Sequence, residues 1–401
     1  MRAPPSDAPA SEWLVYADAL QQQGDLLGEF IMLVNAGDET KQNEWLIQHG
    51  SAFLGPELLG KVGANVKLDW RWGFIDRATV RATRAETLVD VVKLVLDNPR
   101  SERLQTLSVV AVPMAPGIIE LDDLITNLAS SSPPALELID GRAEQVTLLT
   151  SRDFDPANNL VDFGALTPLW KSLRSLKLVT ADVRQLTLGA INAPLLESFT
   201  LQGLRLAGQN FGDVEPCEAC DMLGQATLPK LKHFELRLNE EWTVNHVDDT
   251  DSYITFDSFP EDEGDTGYSE GANWPNEFGS ALRNLVKSPL ETLTLTNFAS
   301  TTSLLELLAQ TGLPPTLRVL NLSQSSLSST DVPWFTKNAS LLSKLDQLIV
   351  RETGFSDDDV KTLKTLVKNV EHSRADPQLR YDGEESTNAP LPKYRYTVGM
   401  E

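Results

Sequence analysis

The sequence predicts an α/β fold: an irregular arc of parallel strands backed by helices, with a helical cap at its N-terminal end. Three observations predict it. The phrase Leu-x-x-Leu-x-Leu occurs at 173–178, 290–295 and 317–322, with looser copies starting at Leu104, Leu196, Leu231 and Leu345. The phrases starting at Leu290, Leu317 and Leu345 recur at spacings of 27 and 28 residues, from the differences in their numbers, which is the period of a repeat holding one strand and one helix. Residues 11–80 lack the phrase and show helical periodicity instead. A strand of this kind cannot bury its apolar edge alone, so successive copies must stack.

Residues 1–10 hold three prolines and no apolar run, and predict a flexible lead without the features of a secretion signal. The next segment, 11–80, predicts helices. Ser11 is a candidate N-cap, and Trp13, Tyr16, Ala17 and Leu20 then recur on one face. Gly24-Asp25 breaks that helix, Phe30, Ile31, Leu33 and Val34 mark a second, and short amphipathic segments follow at 43–49 and 51–62. Such a cap hides the apolar end of a repeat stack from water. From 81 to 373 the repeats run. A helix over 86–96 stops at Asn98-Pro99. Another covers 303–310, ended by Gly312 and Pro314-Pro315. Ser356 with Asp359 predicts a capped helix over 360–370. The repeats are degenerate: Phe stands for Leu at 199 and 234, Val at 109 and 146, and earlier phrase starts are 23, 35 and 59 residues apart by their numbers. The polar tail, 374–401, reads either as disordered or as an extended strap along the body.

The run 14–20, Leu-Val-Tyr-Ala-Asp-Ala-Leu, then Gly24-Asp25 and Gly28-Glu29-Phe30-Ile31, resembles the repeat-companion domain of bacterial leucine-rich-repeat proteins. Leu54-Gly55-Pro56 and the later 70–75, Trp-Arg-Trp-Gly-Phe-Ile, are similar to the linker that follows in such proteins. The resemblance covers residues 11–80. It implies a leucine-rich-repeat solenoid downstream and no catalytic residues, because that family has no agreed activity.

Composition narrows the function. The formal net charge is −23, which opposes nucleic-acid backbones and anionic membranes and favours a basic partner. With two cysteines and no long apolar run, the default expectation is a cytoplasmic, non-catalytic protein without cofactor. In a stacked repeat the outward strand residues form the binding face. The candidates are Lys177, Thr200, Gln202, His233, Glu235, Arg237, Thr294, Thr296, Asn321 and Arg351. The 59-residue gap holds an acidic insertion, about 240–277, without a single Lys or Arg. Its acids interleave with aromatics, and Trp242, Asp257, Glu261, Asp262 and Glu263 are candidate contacts for a cationic protein surface. Asp249, Asp251 and Asp257 do not have the spacing of a calcium loop.

Cys217 and Cys220 form one Cys-x-x-Cys, half of a zinc site. Two ordinary thiols is the favoured reading, with a zinc or redox protein as one alternative. An accessory subunit of a toxin, defence or modification system is another. Two short patterns match catalytic motifs by letter only. Residues 55–61 lack the Ser or Thr that a phosphate loop needs next, since Val62 stands there, and 267–271 lacks the apolar strand before a nucleophile elbow.

Overall fold

A computed structural model describes residues 2–112, 117–131, 133–140, 159–180, 186–204, 218–238, 274–298 and 301–374. These fall into two compact units. The first holds the described residues up to 140 with 159–163 and 172–176; the second holds 164–171 and those from 177 onward. Each is mixed α/β, and its strands are mostly parallel.

The first unit opens with α1, Ala10–Gln22, which begins one residue before the expected cap. Pro9 is the N-cap, extended at φ −61° and ψ 150°, so Ser11 lies inside the helix. Its buried face is Trp13, Tyr16, Ala17 and Leu20, as the spacing predicts. Asp25 caps α2, Leu26–Ala36, its carboxylate accepting from Leu27 N at 2.9 Å. The two helices meet backbone to backbone at Gly28, where a Cβ would stand 2.5 Å from Ala17 O. α3 (Glu39–Leu54) covers the first expected segment, 43–49, and runs on into the start of the second, 51–62, without a break between them. Gly50 does not break it, because that glycine is covered by Leu59, whose Cδ1 a Cβ would approach to 2.8 Å. The phosphate-loop spelling lies on α4, Pro56–Leu59, and not after a strand.

The expected helical cap then departs from helix. β1 (Val66–Arg71) and β2 (Phe74–Ala82) form an antiparallel hairpin. Its two-residue turn, Trp72-Gly73, has positive φ at both positions (53° and 75°), the pattern that matches strand twist. β2 next pairs in parallel with β3 (Thr106–Ala111), and β3 with a strand over Ala135–Asp140. Leu107, Val109, Leu136 and Leu138 fill the core below them. Two helices, α5 (Ala85–Leu96) and α6 (Asp122–Ser131), make the crossovers. A separate pair, β4 (Gly117–Glu120) with β6 (Asn159–Asp162), completes the unit; the Ala135–Asp140 strand between them is β5.

After β7 (Ser175–Val179), the second unit sets strands in sequence order, each parallel to the next. They are β8 (Ser198–Leu204), β9 (His233–Leu238), β10 (Thr292–Thr296), β11 (Val319–Asn321), β12 (Gln347–Thr353) and β13 (Asn369–Arg374). Helices α7 (Glu218–Gly224), α8 (Trp274–Leu285), α9 (Thr301–Thr311), α10 (Val332–Lys337), α11 (Ala339–Leu342) and α12 (Asp357–Leu366) connect them. The Ser356–Asp359 capping box starts α12 as expected, but the helix stops at Leu366, and Val370 belongs to β13. In the same way α8 takes residues 274–277, which the sequence assigned to the acidic insertion.

The apolar positions of each phrase are inward: Phe199, Leu201, Phe234, Leu236, Leu293, Leu295, Leu320, Leu322, Leu348 and Val350 are all at most 1% exposed. Burying each such side chain contributes roughly 1.5–3 kcal/mol. The two Phe departures from the consensus are coupled. Phe199 and Phe234 pair in register, with rings 6.0 Å apart and edge to face, and Trp170 stands 5.6 Å from Phe199 on the other side. A single Phe would not fit a Leu-sized layer, whereas a row of rings packs together.

Two regularities run across these strands. The first is a left-handed residue five places after the first paired residue of a strand: Gly203 (φ 85°), Asn297 (71°), Gln324 (59°) and Glu352 (55°). It follows the end of β10 and of β11, and makes a bulge inside β8 and β12, after which Leu204 and Thr353 pair again. The second lies just before the strands, where charge alternates in sign: Glu197, Lys232, Glu291, Arg318, Asp346, Lys368. The first five are linked by backbone hydrogen bonds of 2.7–2.9 Å from each to the one before, and Lys232 Nζ stands 3.3 Å from Glu197. Like charges in adjacent strands repel, so this order disfavours wrong pairings. Lys232→Glu would set three acids side by side. It is expected to lower stability by about 1 kcal/mol at low salt, with the loss shrinking in 1 M salt; a urea titration that finds no change at low salt contradicts this role.

Candidate partner-binding face

Parallel pairing sets the outward residues of β8–β13 into rows whose neighbouring members stand about 4.8 Å apart. One row reads Ser198, His233, Thr292, Val319, Gln347, Asn369. The next reads Thr200, Glu235, Thr294, Asn321, Ile349, Glu371. A third holds Gln202, Arg237 and Thr296. The structure thus brings together eight of the ten strand-borne candidates in these rows. Arg351 lies at the exposed end of β12, and Lys177 is half-buried on β7. Thr296 is only 6% exposed and so does not face solvent.

The rows are chemically uneven. Toward β8 and β9, Gln202 Nε2 donates to Glu235 Oε1 at 3.1 Å. Toward β12 and β13, Glu371 accepts from Gln347 Nε2 at 3.1 Å and pairs with the Arg351 guanidinium. Between these ends, Thr292, Thr294, Val319, Asn321 and Ile349 are half-buried and uncharged. Asn321 uses its Oδ1 locally, accepting from Ser323 N at 3.0 Å. The face therefore has a neutral centre between two ends whose polar groups already hold one another. Glu371 is missing from the candidates because the expected helix runs on to Val370, over the first two residues of β13; a strand assignment at 369–374 exposes it at once.

Trp242, Asp257, Glu261, Asp262, Glu263 and Cys217 lie outside the described residues, as does the tail beyond Arg374. Cys220 is fully buried in α7, beside Ala219 and Leu223. Among the described residues no group of three His, Cys, Asp or Glu is placed to hold a metal ion, and no helix is long and apolar enough to cross a membrane.

His372 sits in β13 two places after Val370, with Nε2 buried and lacking a hydrogen-bond partner. Desolvation, then the Arg374 charge, holds its pKa below the usual 6.5. The folded protein therefore binds that proton less readily than the unfolded chain. Its stability is whole above about pH 6.5 and falls as pH drops through that value toward the folded pKa. Melting curves between pH 7.5 and 5.5 are expected to show this loss, and His372→Gln to reduce it; an unchanged slope in the variant assigns the loss to other groups.

The fold defines a mixed α/β protein whose strands are mostly parallel. No family model matches the chain, and no curated protein matches it. Among solved structures, the chain is similar to a Bacteroides fragilis protein whose crystal structure was determined by the Northeast Structural Genomics Consortium. The identity is 14%, the TM-score 0.47, and the match covers 70% of this chain and 69% of that one.

Proposed function

We propose that the chain is a leucine-rich-repeat solenoid that recognises another protein through its strand-borne face, without catalysis of its own. The observation that carries this reading is the neutral centre at Thr292, Thr294, Val319, Asn321 and Ile349, set between paired polar ends. Protein interfaces have this anatomy: an uncharged middle with a polar rim. The recurring strand, left-handed turn and helix support the repeat assignment, and so does Asn297. Its side chain donates from Nδ2 to Leu238 O of the neighbouring strand at 2.9 Å, at the place where the repeat phrase carries asparagine.

The acidic insertion is the second arm of the proposal and favours a partner with a basic surface. Removing residues 241–273, which spares α8, should leave the melting transition in place and weaken binding to that partner at low salt. Unchanged affinity excludes the insertion as a contact. The strand face is tested separately, by cross-linking from positions 294 and 321.

A further inference from the structure

β13 is the last strand in the order of the sheet. It pairs with β12 along one side, and among the described residues no strand pairs with its other side. An open strand edge offers its N–H and C=O groups to any extended chain, and folded proteins cover or blunt such edges. β13 also departs from the phrase. Residues 367–372 read Val-Lys-Asn-Val-Glu-His, so His372 takes the last inward position, and its buried Nε2 has no hydrogen-bond partner.

One further copy of the phrase follows in the sequence. Leu391-Pro392-Lys393-Tyr394-Arg395-Tyr396 places apolar or aromatic residues at the first, fourth and sixth positions, and no other six-residue window after Arg374 does so. It starts 24 residues after Val367, by their numbers, where the phrases at 345 and 367 are 22 apart and those at 173 and 196 are 23 apart. Eighteen residues, 375–392, lead from β13 to Lys393, against the fifteen, 354–368, that return the chain from β12 to β13. The connection is therefore long enough for another parallel strand.

The six strands before it fix the alignment. Their third phrase positions, Ser198, His233, Thr292, Val319, Gln347 and Asn369, form one paired row, and the next member is Lys393. Tyr394 then follows Val370 and Tyr396 follows His372 in the inward rows, while Arg395 falls opposite Glu371 in an outward one. Opposite charges directly across a strand pair attract, and Glu371 already pairs with Arg351 on its other side. Tyrosine is a strong strand former, and Tyr396 brings a hydroxyl to the row in which His372 lacks a partner. Pro392 has no N–H but precedes the strand by one place, where proline is tolerated. Lys393 keeps the N–H that His233, Thr292, Val319 and Gln347 each donate to the preceding segment at 3.0 Å.

We propose that residues 393–396 lie along the free side of β13 as one more parallel strand and close the sheet against strand addition by another chain. This closure is independent of the partner assigned to the strand face.

Hydrogen exchange in the full chain tests it. Amides of 369–374 are compared in the unchanged protein and in the double variant Tyr394→Asp, Tyr396→Asp, which puts charge at both inward positions and leaves β13 itself intact. Exchange there is expected to be about tenfold faster or more in the variant, with β10 and β11 unchanged. A peptide of residues 389–401 added to the variant is expected to restore the protection. Arg395→Glu, which sets an acid beside Glu371, should give a smaller increase that fades in 1 M salt. Register is read by disulfide trapping in a Cys217→Ser background, with the buried Cys220 left in place. Glu371→Cys is expected to join Arg395→Cys, where neighbouring strands lie within disulfide reach, and not Lys393→Cys or Thr397→Cys. Equal exchange in the protein and its double variant, or trapping without that preference, overturns the proposal. Protection of 369–374 that rises with protein concentration assigns the edge to a second copy and overturns it as well.

Discussion

Gly203→Ala is expected to destabilise the second unit by about 3–5 kcal/mol, the largest effect of any single methyl group in the described strands. Two costs add. Gly203 has φ 85°, where an L side chain costs roughly 1–2 kcal/mol. A Cβ there would also stand 1.7 Å from Thr180 O, a backbone atom of the neighbouring segment. That carbonyl cannot swing aside cheaply, because Thr180 N is tied to Gln202 O at 3.0 Å. The strand edge must open by an ångström or more, and with it the Phe199–Phe234 layer just beneath. Urea denaturation gives the number; a loss under 1 kcal/mol shows that the edge is loose and the turn does not need glycine.

Asn297→Ala is expected to cost about 2–4 kcal/mol, combining a stranded buried carbonyl with the loss of a residue that tolerates the left-handed region. Asn297 is 4% exposed and makes contacts to both sides. Its side chain donates to Leu238 O at 2.9 Å, and its backbone N–H donates to Ser323 O at 3.3 Å. The series Asn297→Ala, Asn297→Gly and Asn297→Asp separates the terms. Glycine restores the backbone freedom but not the donor; aspartate keeps the shape and reverses the polarity toward Leu238 O. Aspartate is expected to be the most damaging and glycine the least. A series in which all three cost the same removes the side-chain hydrogen bond from the account.

Much of this architecture is legible in the leucines. A period-two burial pattern inside a period near 28 permits only strands that alternate with return segments, and β10, β11 and β12 stand where the phrase places them. What the leucines hide is instructive. The β1–β2 hairpin turns on Trp72-Gly73, and no residue preference predicts a tryptophan in the left-handed region; its reason is tertiary, the stack on Trp13. β13 is hidden because Val367 and Val370 are three apart, a helical spacing, and because His372 occupies the place where the phrase calls for an apolar residue. The left-handed row is half visible, at Gly203 and Asn297, and invisible at Gln324 and Glu352, where neighbouring strands impose it. On the strand face, residue types were readable but their pairing was not. Gln202 with Glu235 and Arg351 with Glu371 are contacts between strands 33 and 20 residues apart in sequence, and only the register brings them together.

Site-specific photo-cross-linking in the native cell tests whether the neutral centre of the strand face is a contact surface. A photoreactive residue is placed at Thr294, at Asn321, and, as a control, at Glu306 on the exposed side of α9. Cross-links from positions 294 and 321 to one and the same protein, and none to that protein from 306, are the predicted result. Cross-links to a common partner from 306, with none from 294 or 321, would contradict it and move the contact surface to the helices.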